Sequence, residues 1–255
     1  MTEDAAPATR WKLLLEYDGR GFVGWQRQDS GRGVQQALEE AVAALTGEAR
    51  QVQAAGRTDS GVHALSQVAH VDLKKPLDGD TLRDALNHFL RREAVVVLSA
   101  EAARGDFHAR FSASERGYLY RILNRRPPPA LDAGRVWWVP TPLDADAMAA
   151  GARRLIGHHD FTSFRASECQ AASPVKTLDD LSVARDGAEI RITARARSFL
   201  HHQMRNIAGT LRLVGEGKWT PDDVSQALAA RRRSAAGPTA PPDGLYLTHV
   251  RYGDE

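Results

Sequence analysis

The chain has 255 residues, 42% of them hydrophobic, enough for one large core or two smaller ones; extended disorder and a disulfide-stapled miniature fold are set aside. Its net charge is +2, too small to argue for a polyanionic partner, although 29 of its 34 basic residues are arginine, whose planar fork suits phosphate but which a compositional bias would also enrich. The longest apolar runs, 41–45 and 94–98, fall far short of the ~20 residues that span a bilayer, so no membrane span is expected, and the lone Cys169 fits a reducing cytoplasm.

Residues 1–10, MTEDAAPATR, carry neither a signal nor a transit pattern and read as a frayed tail. Trp11 to Tyr17 predicts a strand, and the glycine-rich stretch after it a loop. Val34 to Thr46 has apolar residues at helical spacing and ends at Gly47. Strands are predicted over Gln51 to Ala55 and Leu65 to Leu73, separated by GRTDSGVH. Asp80 is the expected N-cap of a second helix with Leu82, Ala85, Leu86, Phe89 and Leu90 on its apolar face, and Ala94 to Ala100 follows as a strand.

The second half repeats this order. Gly117 to Asn124 and VWWVP read as strands, and Asp144 caps a helix running to about Ile156. Asp186-Gly187 joins Leu178 to Ala184 and Ala188 to Ser198 as a hairpin. A helix from about His202 to Val214, another opened by Thr220-Pro221, and a strand from Leu245 to Tyr252 complete the chain. Each half reads βαββαβ. The fold class is α+β: two ferredoxin-like halves, 11–110 and 111–255, with antiparallel sheets joined around a central basic cleft and helices on the opposite face.

AGRTDSGVHA, Ala55 to Ala64, sets Arg57, Asp59 and His63 among glycines between two strands, where a turn can aim Asp59 in a fixed direction; the same Asp would also serve as a turn cap. A carboxylate with arginine in reach stays ionised and can act as nucleophile or base. Tyr118 and Tyr120 share a strand face, suited to stacking on a base or to filling a core. On the strand 188–198, Arg191, Arg195 and Arg197 alternate with apolar residues and no acids intervene, giving a phosphate-binding or merely solvated face. His158, His159, Asp160, His201 and His202 lack zinc spacing, Cys169 has no adjacent base, and GRGFVG opens no helix, so metal, thiol and dinucleotide sites are not expected.

YDGRGFVGWQRQ, AGRTDSGVHA, GYLYRI, HDFTSF, CQAASPVKT, SFLHHQMRNIAGTLRLVGEGKWTP and AGPTAPPDGLYL, in this order, resemble the tRNA pseudouridine synthase A (TruA) family over nearly the whole chain. The resemblance implies isomerisation of uridine to pseudouridine in the anticodon stem-loop of tRNA, without metal or organic cofactor, by a cytoplasmic homodimer that holds each tRNA across both subunits. It makes Asp59 the nucleophile, at C6 of the base or C1′ of the ribose, Tyr118 the residue that stacks on the target base, and Arg57 the residue associated with flipping it. Arg205 becomes the carboxylate's partner and Leu245 a pocket residue. Gln203 and Met204 replace the family's usual neighbours of Arg205, and Lys176 stands where arginine is common. The alternatives are a non-catalytic RNA-binding protein using the basic sheet and a metal-dependent nuclease built on Asp59 and histidines.

Overall fold

In the computed structural model, which describes residues 8–253, the chain divides into two compact units, one running to Ser114 and taking back the chain from Thr248, the other spanning Glu115–Leu247. The first contains β1 (Thr9–Tyr17), α1 (Val34–Thr46), β2 (Gln53–Ala54), β3 (His63–Leu73), α2 (Gly79–Leu90) and β4 (Val95–Ala103). β1 pairs antiparallel with β4 on one side and β3 on the other, and β2 pairs with β3. Residues of alternate parity, Leu13, Leu15, Ala69, Val71 and Val97, are fully buried on one face, and α2 packs on β4 with α1 against α2. The other face buries Val68 with Ala55, Ala109, Ala113 and Tyr252, so residues 104–113 cover it.

Most element types were expected, but several boundaries move. The expected tail lies outside the described residues as far as residue 7, whereas β1 already begins at Thr9 because Arg10 sits opposite Asp72 and grips its carboxylate through Nε and Nη2, both at 2.7 Å. Asp80 is not the cap of α2: Asp78 has the extended backbone of an N-cap and accepts from Thr81 N, while Asp80 lies in the first turn and pairs with Arg83. Asp78→Ala is therefore expected to lower the thermal midpoint measurably more than Asp80→Ala; equal shifts would contradict the assignment. Phe89 is exposed rather than part of the core stripe.

The second unit contains β5 (Ala113–Leu123, from the end of the first unit), β6 (Trp137–Trp138), α3 (Ala145–Arg153), β7 (Gly157–Asp160), β8 (Val175–Leu178), β9 (Asp180–Asp186), β10 (Glu189–Ala196), α4 (Gln203–Gly215) and α5 (Pro221–Ala229). β11 (Leu245–Tyr252) follows and crosses the division of the chain. β10 lies antiparallel between β5 and β9, β6 adds in parallel to β5, and β7 and β8 form a separate pair. Ile190, Ile192, Ala194 and Ala196 are buried, α3 packs on β9, and α4 packs on α3. The β9–β10 turn is one residue later than expected: Asp186 pairs with Glu189, and Gly187, at φ +55°, takes the left-handed turn position. Among the described residues no helix is long and apolar enough to cross a membrane.

Candidate active site

In the first unit, the loop between β2 and β3 carries Arg57, exposed, and Asp59, half-buried. It is tied down from several directions. Thr58, itself buried, shares a 2.8 Å hydroxyl hydrogen bond with Tyr17 of β1, and its carbonyl accepts from Trp25 N at 3.0 Å. Gln67 of β3 donates to the Gly56 carbonyl at 2.8 Å, Val62 N donates to Asp59 O, and Gly61 turns the chain at φ +78°. The glycine-rich segment after β1 is the outer brace of this loop. A Cβ on Gly24 would stand 2.6 Å from the Thr58 carbonyl, and one on Gly19 2.1 Å from that of Val62, so only glycine lets the two backbones lie so close. His63 is buried as the first residue of β3 and accepts from Gly19 N.

Burial raises the Tyr17 phenol from its ordinary value of 10 to about 12, more than its hydrogen bonds to Thr58 and Gln67 lower it. The native state thus holds this proton after the unfolded chain has released it. The stabilisation is complete below pH 10 and is lost as pH rises through 12, a loss of about 2–3 kcal/mol for this one group. Tyr17→Phe is expected to flatten the fall in thermal midpoint between pH 10 and 12; an unchanged fall would assign it to other groups.

In the second unit, Arg205 stands in the first turn of α4, half-buried. The helix is entered through His202, which is held in the left-handed region at φ +61°, a costly conformation for a residue with a Cβ. Gln203 is buried and its side chain accepts from Leu200 N at 2.8 Å, which closes the turn leading into α4. Arg205 Nε donates to the Ala240 carbonyl at 2.8 Å, and Ala240 N donates back to the Arg205 carbonyl at 3.0 Å.

Ala240 is itself clamped. Asn206, fully buried, donates to the Phe164 carbonyl and accepts from Arg233 Nη2 at 3.0 Å and Thr239 Oγ1 at 2.7 Å. Arg233 also donates to the Gly237 carbonyl, whose own N–H reaches the buried Thr210 hydroxyl. Gly209 completes the seat, since a Cβ there would lie 1.7 Å from the Pro238 carbonyl. The segment 236–244 is thus fixed against α4 and leads directly into buried Leu245.

Tyr118 of β5 is half-buried, its ring edge-on to Phe199 at 4.9 Å. Tyr120 is core and not a stacking platform: it is fully buried, its hydroxyl donates to the Pro241 carbonyl, and burial raises its phenol well above the ordinary range. The register pairs Tyr118 with Ala194 and Tyr120 with Ile192, on the apolar face. Arg191 and Arg195 alternate to the opposite face, so they do not share Tyr118's side of the sheet. Nor is that face free of acids. Arg191 meets Glu189 at 2.8 Å and Asp186 at 3.6 Å, and Arg195 meets Asp180 and Glu115 at 3.6 and 3.7 Å. Reading β10 alone missed the carboxylates of β5 and β9. Arg197 lies exposed just beyond β10.

A family model described as tRNA pseudouridine synthase matches residues 14–112 and 152–253. The chain belongs to the tRNA pseudouridine synthase family. Curated relatives named tRNA pseudouridine synthase A are 66% identical in Rhodospirillum centenum and 63% in Paramagnetospirillum magneticum, each over 95% of this chain and over 99% and 95% of the relative. A third, in Rhodospirillum rubrum, is 60% identical over 96% of this chain and 88% of the relative. For a synthase of this family, the matched stretches hold Arg57, Asp59, Arg205 and Leu245, while Tyr118 falls in the unmatched stretch between them. Sequence reasoning missed the supports of the synthase loop and helix: Tyr17, Thr58, Gln67, Asn206, Arg233 and Thr239. The available signal was a polar residue at a core position, as Gln67 is in β3 and Asn206 in the apolar stripe of α4.

Proposed function

We propose that this synthase converts uridine to pseudouridine in the anticodon stem-loop of tRNA, with Asp59 as nucleophile. The observation that carries the reading is the half-buried carboxylate on a loop whose neighbours, Thr58, Gly56 and Gly61, are held by buried hydrogen bonds and a glycine-only approach. Attack at C6 of the base or at C1′ of the ribose ends in the same exchange: the C1′–N1 bond breaks, the base rotates, a C1′–C5 bond forms, and the C5 proton is lost as N1 gains one. Nothing is oxidised or reduced and no group is transferred from outside, so the balance requires no co-substrate. Arg57, exposed on the same loop, assists extrusion of the target nucleotide, without which a stacked base hides its reacting atoms. Tyr118 stacks on the base, Arg205 supplies the positive charge a carboxylate nucleophile needs, and Leu245 lines the pocket.

The chain order βαββαβ of the first unit, with β4-β1-β3 and β2 at β3, and the β5-β10-β9 sheet of the second, with α3 between β5 and β9 in sequence and α4 after β10, support two ferredoxin-like halves, 11–110 and 111–255. The enzyme is read as a cytoplasmic homodimer that holds tRNA across both subunits, a stoichiometry light scattering checks. Purified protein with unmodified tRNA and EDTA is expected to form pseudouridine. Activity abolished by the chelator and restored by a divalent ion would overturn the cofactor-free reading. We read Arg191 and Arg195, each facing carboxylates, as lying outside the RNA contacts, and Arg197, exposed beyond β10, as the one that reaches the RNA backbone. Arg195→Ala is expected to leave the slope of log affinity against log salt unchanged; a decrease of about one unit would count it as a phosphate contact.

A further inference from the structure

We propose that Phe111, on the turn 108–112 of the first unit, is a stacking platform for a nucleobase of the tRNA other than the reacting uridine. The inference rests on tRNA as substrate. Phe111 is 71% exposed, yet the turn that carries it is tied by several hydrogen bonds. Arg10, already gripping Asp72, donates through Nη1 to the carbonyls of Gly105 and Phe107 at 2.7 and 2.8 Å. His108 Nδ1 accepts from both Arg110 N and Phe111 N, and Ser112 N returns to the His108 carbonyl at 2.9 Å. Ala109, fully buried, donates to His70 Nδ1 and accepts from the Tyr252 hydroxyl.

The result is a rigid turn that holds a large apolar ring out in water. Burial of such a ring would stabilise the fold, yet it stays in water while the neighbouring alanines are buried without it, so fold stability gives no reason for a phenyl ring here. Its surroundings match a base rather than a protein side chain. The His108 ring lies 4.3 Å from the Phe111 ring at 39°, and the Arg110 guanidinium stands 5.5 Å from it, which pairs a π-surface with a cation suited to the adjoining phosphate. His108 Nδ1 accepts two backbone N–H groups and so carries no proton itself, and desolvation with the Arg10 charge lowers the pKa of its ring. Position joins the platform to the proposed catalytic loop: Ala109 and Ala113, flanking Phe111, pack in one cluster with Ala55, two residues before Arg57.

The test compares Phe111→Leu, which keeps apolar bulk but removes the π-face, with Phe111→Tyr, which keeps the ring. Dissociation constants for full-length unmodified tRNA are measured at fixed salt, together with pseudouridine formation at saturating tRNA, melting curves and mass by light scattering. Phe111→Leu is expected to bind about 5- to 100-fold more weakly with kcat, melting and mass unchanged, and Phe111→Tyr to bind as the unaltered protein does. Unaltered affinity in Phe111→Leu, or equal weakening in both variants, would overturn the platform. A change of mass in Phe111→Leu would do so as well, by giving the surface to a second copy of the chain. Absence of pseudouridine from the unaltered protein would instead strike the proposed function, and the affinity comparison would still decide the platform.

Discussion

Asp59→Asn is expected to form no detectable pseudouridine, a loss of at least about 10⁴-fold, or about 5.5 kcal/mol of transition-state stabilisation, while binding tRNA within about threefold of the unaltered protein. The substitution keeps shape and removes the negative charge and nucleophilic oxygen, and an amide does not attack carbon under these conditions. The substitution leaves in place the loop's ties through the Thr58 hydroxyl and carbonyl, the Gly56 carbonyl and the backbone of residues 59–62. A thermal midpoint within about 2 °C of the unaltered protein would show the loss to be chemical. Full activity in Asp59→Asn would remove the carboxylate from the reaction.

Asn206→Leu is the substitution expected to cost most in the second unit. One buried amide serves Phe164, Arg233 and Thr239, and leucine leaves a carbonyl, a guanidinium N–H and a hydroxyl without that partner. Desolvation already lowers the Arg233 pKa, which marks a guanidinium in surroundings where losing an acceptor is costly. At about 1–3 kcal/mol for each unmet group, the loss is about 3–5 kcal/mol and the thermal midpoint falls by about 10 °C. Activity should fall further than melting alone explains at a temperature where the variant remains folded, since Ala240 would no longer hold Arg205. Asn206→Asp, which keeps the acceptors for Arg233 and Thr239, is expected to lie between the two. Melting and activity unchanged in Asn206→Leu would contradict the clamp.

How far the fold was legible depended on whether the deciding interaction was local. Val34–Thr46 emerges with its expected limits because the apolar spacing is regular and Gly47 takes the left-handed stop at φ +74°. Asp80 misled because Asp78 and Asp80 carry equal capping chemistry, and the backbone entering α2 decides between them. The β7–β8 pair escaped because its strands have four residues each, too few for a period, and its polar groups turn inward on themselves: His158 meets the Thr177 hydroxyl, His159 the Ile156 carbonyl, and Asp160 caps Thr162. The arginines of β10 looked unopposed because their acids sit on other strands or at the strand's start.

The same divide runs through the site. Asp59 and Arg57 stand out by residue type among glycines, and the family blocks extend to Tyr118, Arg205 and Leu245. The supports do not stand out, since Thr58 meets Tyr17 across 41 residues and Arg233 meets Asn206 across 27, and no local pattern announces such pairs. The glycines of GRGFVGW carried a weak dinucleotide signal in sequence; in space Gly19 and Gly24 admit the backbone of the Asp59 loop.

Mapping pseudouridine in tRNA from cells that lack this protein, complemented with either the unaltered chain or Asp59→Asn, tests the central claim most directly. Pseudouridine in the anticodon stem-loop that disappears on deletion, returns with the unaltered chain and stays absent with Asp59→Asn is the predicted result. The same modification persisting without the protein, or returning with Asp59→Asn, would contradict it.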